Sequence, residues 1–158
     1  NHQLIFVPHE VNSKNLSILY NKLNKLGFNP IFYDESSKTE TSKVIIINTT
    51  GILADLYQYS DIAYIGAGFN AGVHSVLEPA VYANAISFGP KYHIVDFAVN
   101  LVDFELAKVI KSIDDFILFL NLIDDEKKLN TIKTNVKHFI KEQNVATNNI
   151  INNIFYNG

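Results

Sequence analysis

His74, Ser75 and Glu78 stand close together at the end of a glycine-bearing stretch, Gly66-Ala67-Gly68-Phe69-Asn70-Ala71-Gly72-Val73, and this grouping could seat a phosphorylated ligand. Glycines let a backbone pass close to a ligand and adopt positive φ. The N–H groups of a helix that starts behind them can meet negative charge. Glu78 precedes Pro79, and its carboxylate could accept two hydrogen bonds from the vicinal hydroxyls of a ribose. The same residues, Ser75-Val76-Leu77-Glu78, also fit a capping box in which the glutamate only reaches back to the helix start. Both readings of Glu78 stand on the sequence.

His74 is read as a ligand contact or as a side chain satisfied by the fold. His74 and Glu78 would share one helix face, but neither H-E-x-x-H nor a third nearby ligand accompanies them, so a metal site is not expected. His9 follows Pro8 where a strand should end, and its imidazole could donate to a phosphate or simply face solvent. The pairs Asp114-Asp115 and Asp124-Asp125 are expected to cap helices or face water, with no part in catalysis.

Gly66-x-Gly68-x-x-Ala71 formally matches the dinucleotide fingerprint. That fingerprint needs an acidic residue about 20 positions on, at the end of the next strand, where this chain reads Ser87-Phe88-Gly89-Pro90. It also belongs after the first strand of its sheet, and here it lies mid-chain. Dinucleotide binding is therefore disfavoured. There is no G-x-S-x-G elbow, P-loop or cysteine nucleophile, so the chain shows no complete catalytic constellation.

The elements that must position these residues alternate. Leu4 to Val7 reads as a buried strand, Val11 to Leu26 as a helix stopped by Gly27, and Pro30 to Tyr33 and Val44 to Ile47 as strands. A polar loop, Asp34 to Ser42, separates the last two. Thr49-Thr50-Gly51 opens a short helix through Tyr57, and Asp61 to Ile65 is the strand that feeds the glycine stretch. A helix over about Ser75 to Ala83 follows, then a strand over Ala85 to Phe88 ended by Gly89-Pro90. Helix is expected over Asp96 to Val102, strand over Ala107 to Ile110 and helix over Asp114 to Ile123. The chain closes with a helix from about Glu126 to Glu142 and an Asn-rich amphipathic segment, Ala146 to Phe155.

This alternation predicts an α/β fold: a Rossmann-like open parallel sheet with helices on both faces. Ligands of such sheets bind at the carboxyl ends of the strands. Four loops leave those ends, at Pro8 to Glu10, Asn48 to Gly51, Gly66 to His74 and Gly89 to His93, and they are expected to converge on one crevice.

With 158 residues, 47% of them hydrophobic and 18% charged, the chain is long and apolar enough to bury a core. A net charge of −3 gives no footprint for nucleic acid, and no basic cluster marks an anionic membrane surface. No apolar run is long enough to span a bilayer. The absence of cysteine excludes disulfides and thiolate sites and suits a cytosolic protein. With no methionine and an opening of Asn1-His2-Gln3-Leu4-Ile5, the chain is expected to be a fragment that enters directly at its first strand.

The run Y-S-D-I-A-Y-I-G-A-G-F-N-A-G-V-H-S-V-L-E-P-A, from Tyr59 to Ala80, followed by F-G-P at Phe88 to Pro90, resembles the C-terminal half of the 3-deoxy-D-manno-octulosonic acid (Kdo) transferases. V-P-H-E at Val7 to Glu10 and N-T-T-G-I-L at Asn48 to Leu53 fall where that family has its P-R-H-type and D-T-M-G-E-L-type loops. The chain departs from the pattern at several positions. Ser75 stands where Asn is commoner, Ala67 replaces the second glycine of a pair, His9 stands where many members have Arg, and Asn48 and Ile52 replace acidic residues.

The resemblance implies the C-terminal half of a two-domain glycosyltransferase B fold. Residues 1–158 would be a single nucleotide-sugar-binding domain, with the N-terminal acceptor domain outside it. The implied reaction transfers Kdo from CMP-Kdo to a lipid A precursor in lipopolysaccharide biosynthesis, at the cytoplasmic face of the bacterial inner membrane. It would use no metal or other cofactor and no nucleic acid, and its general base would lie outside the chain. Glu78 would hold the ribose. Gly66, Gly68, Asn70 and Gly72, with His74 and Ser75, would lie near the phosphate or the sugar carboxylate, and Pro8, His9, Thr50 and Gly51 would close the other side. Alone, the chain is expected to bind nucleotide weakly and catalyse nothing. Two alternatives are another glycosyltransferase B or sugar-nucleotide epimerase using UDP or GDP, and a non-catalytic binding domain.

Overall fold

A computed structural model describes residues 2–33, 42–73 and 75–155, with the backbone alone over 144–155. Most of the expected polar loop from Asp34 to Ser42 lies outside the described residues, as does His74. The chain divides into two compact units, residues 1–53 and 54–158.

In the first unit β1 (Leu4–Phe6), β3 (Val44–Ile46) and β2 (Ile31–Phe32) form a parallel sheet in the order β1-β3-β2. The β-branched run Val44 to Ile47 takes the centre, buried throughout, as a parallel strand covered on both faces requires. Helix α1 (Ser13–Lys25) starts where the Asn12 side chain accepts from the Asn15 N–H at 2.9 Å. It ends where Gly27, at φ +84°, turns the chain left-handed and Phe28 N–H bonds back to the Leu23 carbonyl at 3.1 Å. Leu16, Leu19, Tyr20 and Leu23 of α1 pack on Phe6, Val44 and Ile46.

The second unit carries the parallel sheet β4-β5-β6, built from Ile62–Ile65, Ala85–Phe88 and Ala107–Val109. The strands are thus bonded as two three-stranded sheets, one per unit, while the expected α/β class and parallel pairing stand. Along β5 the side chains alternate. Ile86 and Phe88 join Val76 and Ala80, Ala98 and Leu101 of α4 (Asp96–Asp103), and Val136 and Phe139 of α6 (Glu126–Phe155) in the main core. Ala85 points the other way, toward Phe119 of α5 (Ile113–Leu120) and Leu129 of α6.

One residue of each acidic pair acts as a cap, as its position suggested. Asp115 and Ser112 form a reciprocal capping box at the start of α5, and the Asp125 carboxylate accepts from Lys128 N–H at 3.0 Å at the start of α6. Helix α6 runs unbroken to Phe155 instead of stopping near Glu142, because Asn lowers helix propensity without removing a backbone donor. Among the described residues no helix is long and apolar enough to cross a membrane.

Candidate functional site

The glycine stretch leaves the carboxyl end of β4, and the Gly89-Pro90 turn leaves the carboxyl end of its parallel neighbour β5. Beyond the last strand pair, Ile65 with Phe88, the two loops stay bonded. Gly89 N–H donates to the Ala67 carbonyl at 2.9 Å, Lys91 N–H to the Gly68 carbonyl at 2.8 Å, and Val73 N–H to the Lys91 carbonyl at 3.2 Å. Gly68 N–H closes a turn onto the Ala71 carbonyl at 3.1 Å. The loop between Gly66 and Val73 is therefore stapled at both ends to the segment after β5.

Only glycine fits at the crossing. A Cβ on Gly68, whose φ is +89°, would lie 2.8 Å from the Gly89 carbonyl oxygen, and one on Gly89 would lie 2.6 Å from the Gly68 carbonyl carbon. A Cβ on Gly72 would collide only with the flexible end of exposed Ile94, and one on Gly66 would meet nothing within 4 Å. The glycines thus divide by role: Gly68 and Gly89 permit backbone contact, while Gly66 leaves open space. Asn70 and Ser75 are exposed beside them, and the Lys91 ammonium donates to the Asn70 carbonyl at 3.2 Å.

Behind the loop, the expected helix over Ser75 to Ala83 is shorter and starts later, as α3 (Leu77–Val81). Ser75 sits at φ +54°, outside the helix, and the N-cap is Val76, which offers no side-chain cap. The capping-box reading of Ser75 and Glu78 is therefore overturned by backbone conformation, since a cap serine needs an extended φ. A helix this short provides no anion site of its own, so the expected charge-binding helix start is not available there. Glu78 is half-buried in the first turn of α3, held by the buried Pro79 behind it.

The charge of Glu78 is felt by Tyr57, in the 3₁₀ turn Tyr57–Tyr59 that follows the one-turn helix α2 (Leu53–Leu56). Burial, and secondarily Glu78, push the Tyr57 phenol above its ordinary value. The turn is fixed by Asn84, fully buried, whose side-chain amide donates to the Tyr57 carbonyl at 3.0 Å and accepts from the Ser60 hydroxyl. Asn84 N–H in turn bonds to the Pro79 carbonyl at 3.0 Å, so one buried amide ties the Tyr57 turn to the end of α3. Tyr57, Asn84 and Lys91 were not singled out from the sequence. Of the three, Lys91 carried a readable signal: a cation directly after Gly89-Pro90 at a strand's carboxyl end.

The remaining candidates lie in the first unit. Pro8 and His9 follow β1, and Thr50 and Gly51 follow β3; because these strands are parallel neighbours, both pairs leave the same edge of that sheet. His9, Thr50 and Gly51 are exposed, and Gly51 takes φ +88°. The four loops expected in one crevice fall into two pairs, one to each unit. Among the described residues, no three His, Asp or Glu side chains gather where they could hold a metal ion.

No family model matches the chain. The resemblance to Kdo transferases is nevertheless borne out by similarity to curated proteins. The chain is 33% identical to the 3-deoxy-D-manno-octulosonic acid transferase of Aquifex aeolicus over 60% of its length, spanning 25% of that protein. It is 27% identical to that of Rickettsia conorii over 89% of its length, spanning 29% of that protein. A bifunctional glycosyltransferase/methyltransferase of Fusobacterium nucleatum is 28% identical over 95% of the chain, which spans 25% of that protein. The chain thus spans about a quarter of the length of the curated relatives it matches.

Among solved structures, the chain is similar to the crystal structure of the C-terminal CMP-Kdo binding domain of WaaA from Acinetobacter baumannii. The TM-score is 0.65 at 16% identity, covering 89% of this chain and 90% of that one. That likeness is one of fold.

Proposed function

We propose that the chain is the donor-binding part of a glycosyltransferase of the glycosyltransferase B kind, one that moves Kdo from CMP-Kdo to a lipid A precursor in lipopolysaccharide biosynthesis. The observation that carries this reading is similarity to a Kdo transferase along 89% of the chain. The geometry is consistent with it. A stapled glycine loop lies at a strand's carboxyl end, and the half-buried Glu78 carboxylate behind it is not spent on a capping box.

In the proposed reaction an acceptor hydroxyl attacks the anomeric carbon of Kdo while the bond from that carbon to the CMP phosphate breaks. The electron pair leaves with CMP. The general base is assigned to the part of the relatives' length that this chain does not span, at the cytoplasmic face of the inner membrane where a lipid acceptor is reached. Within the chain, Glu78 accepts hydrogen bonds from the ribose hydroxyls and the Gly66 to Gly72 loop lies along the phosphate. Groups that hold CMP more tightly as charge develops on its phosphate favour the transition state over the bound donor. His74 keeps the role that the resemblance implies, near the phosphate or the sugar carboxylate.

The test is titration of the chain with CMP, UDP and GDP, read by NMR shifts or thermal shift. CMP is expected to give the largest response, and Glu78→Ala is expected to abolish it. Equal responses to all three that ignore Glu78→Ala would sink the nucleotide seat. A preference for UDP would remove the Kdo assignment and leave the fold untouched.

A further inference from the structure

We infer that Lys91 supplies the positive charge of the donor seat, meeting the phosphate of a nucleoside monophosphate while fixing the loop that surrounds it. This rests on the reading of the glycine loop as a nucleotide seat and adds to it a residue that the glycine and Glu78 motifs do not contain.

Three observations place Lys91 there. Its backbone is the staple itself, with its N–H on the Gly68 carbonyl at 2.8 Å and its carbonyl receiving the Val73 N–H at 3.2 Å. The residue therefore cannot move independently of the loop. Its side chain is exposed and turns back over the loop instead of into bulk solvent, with Nζ 3.2 Å from the Asn70 carbonyl oxygen. An ammonium has three N–H donors, and the Asn70 carbonyl takes one of them. Among the described residues no other acceptor takes the remaining two, which leaves them for an anion in the same mouth of the loop. The seat also needs such a charge: α3 is only five residues long and begins without a side-chain cap, so no helix start supplies it.

The staple and the charge are separable by ligand. The chain is titrated with CMP and with cytidine, each followed by NMR chemical shift, for wild type, Lys91→Gln and Lys91→Arg. Lys91→Gln keeps an N–H for the Asn70 carbonyl and the backbone bonds but removes the charge. It is expected to weaken CMP about tenfold, the size of one charge-assisted hydrogen bond at an exposed site, and to leave cytidine within about twofold. Lys91→Arg is expected to hold CMP within about threefold of wild type, and added salt to shrink the gap between wild type and Lys91→Gln.

CMP binding untouched by Lys91→Gln overturns the inference while the nucleotide seat stands. Equal losses for CMP and cytidine also overturn it, reducing Lys91 to a tie that shapes the loop. A wild-type chain that binds neither ligand overturns the seat, and this inference with it.

Discussion

Gly68 and Gly89 meet backbone to backbone, so closely that a Cβ on either would come within 2.8 Å of the other's main-chain atoms. They come from different loops, and their contact holds the β4 and β5 exits together just where the sheet's own pairing ends. Two consequences separate this arrangement from a merely flexible glycine loop. Gly68→Ala and Gly89→Ala are each expected to cost about 2 kcal/mol of stability, through a forced backbone shift and, at Gly68, a disfavoured φ. Gly66→Ala, with open space around it, should change stability by less than about 0.5 kcal/mol. Urea unfolding of the three variants checks this, and equal midpoints for Gly66→Ala and Gly68→Ala would remove the crossing as a structural device.

What could be read from the residues was local. Gly27 as a helix stop, Asp115 and Asp125 as caps, and the β-branched Val44 to Ile47 strand each act through neighbours in sequence, and each is found as expected. The Gly68 and Gly89 contact joins segments on different strands, so glycine spacing could suggest a close approach without saying to what. Ser75-x-x-Glu78 shows the opposite failure. The pattern is right for a capping box, but the backbone carries Ser75 at φ +54°, and side-chain spacing alone does not encode φ. Asn84 was unreadable for a third reason, since a buried amide earns its place only through partners that the fold brings to it.

Ser75 itself yields a prediction. A serine at φ +54° occupies the left-handed region, which Asn tolerates several-fold better than most residues. Ser75→Asn is therefore expected to stabilise the chain by roughly 0.5 kcal/mol. Thermal unfolding measures it directly. A destabilised Ser75→Asn would mean that the Ser75 side chain is held by a contact that its left-handed backbone does not reveal.

Asp115 gives a pH signature independent of any ligand. Its carboxylate accepts from Lys111 N–H at 3.0 Å and from the Ser112 hydroxyl and N–H, each at 3.1 Å, with Lys108 at 3.9 Å, and these hold its pKa below the ordinary 3.8. The main cause is the Lys111 N–H, followed by the Ser112 hydroxyl. A depressed carboxylate pKa contributes stability that is fully present above the unfolded value and is lost as pH falls through the folded one. Asp115→Asn should thus lower the melting temperature at neutral pH, with the gap to wild type closing as pH drops below 3.8. A gap that persists unchanged in acid would assign the effect to lost side-chain geometry instead of charge.

Tyr57 reports on the carboxylate that matters most to the proposed seat. Its phenol is held above 10.0, chiefly by burial and then by the negative charge of Glu78, which disfavours the phenolate. Neutralising that charge must lower the phenol's pKa, and burial must keep it from returning fully to its ordinary value. Glu78→Gln is therefore expected to shift the Tyr57 titration downward while leaving it above 10.0. The measurement is a ring-carbon NMR titration, with Tyr57→Phe identifying the signal. The sign extends to stability: the folded chain keeps the phenolic proton longer than the unfolded chain does, so stability present below the unfolded value is lost as pH rises through the folded one. That loss should be smaller in Glu78→Gln. A Tyr57 titration indifferent to Glu78→Gln would place the carboxylate away from the phenol and leave burial as the sole cause of the raised value.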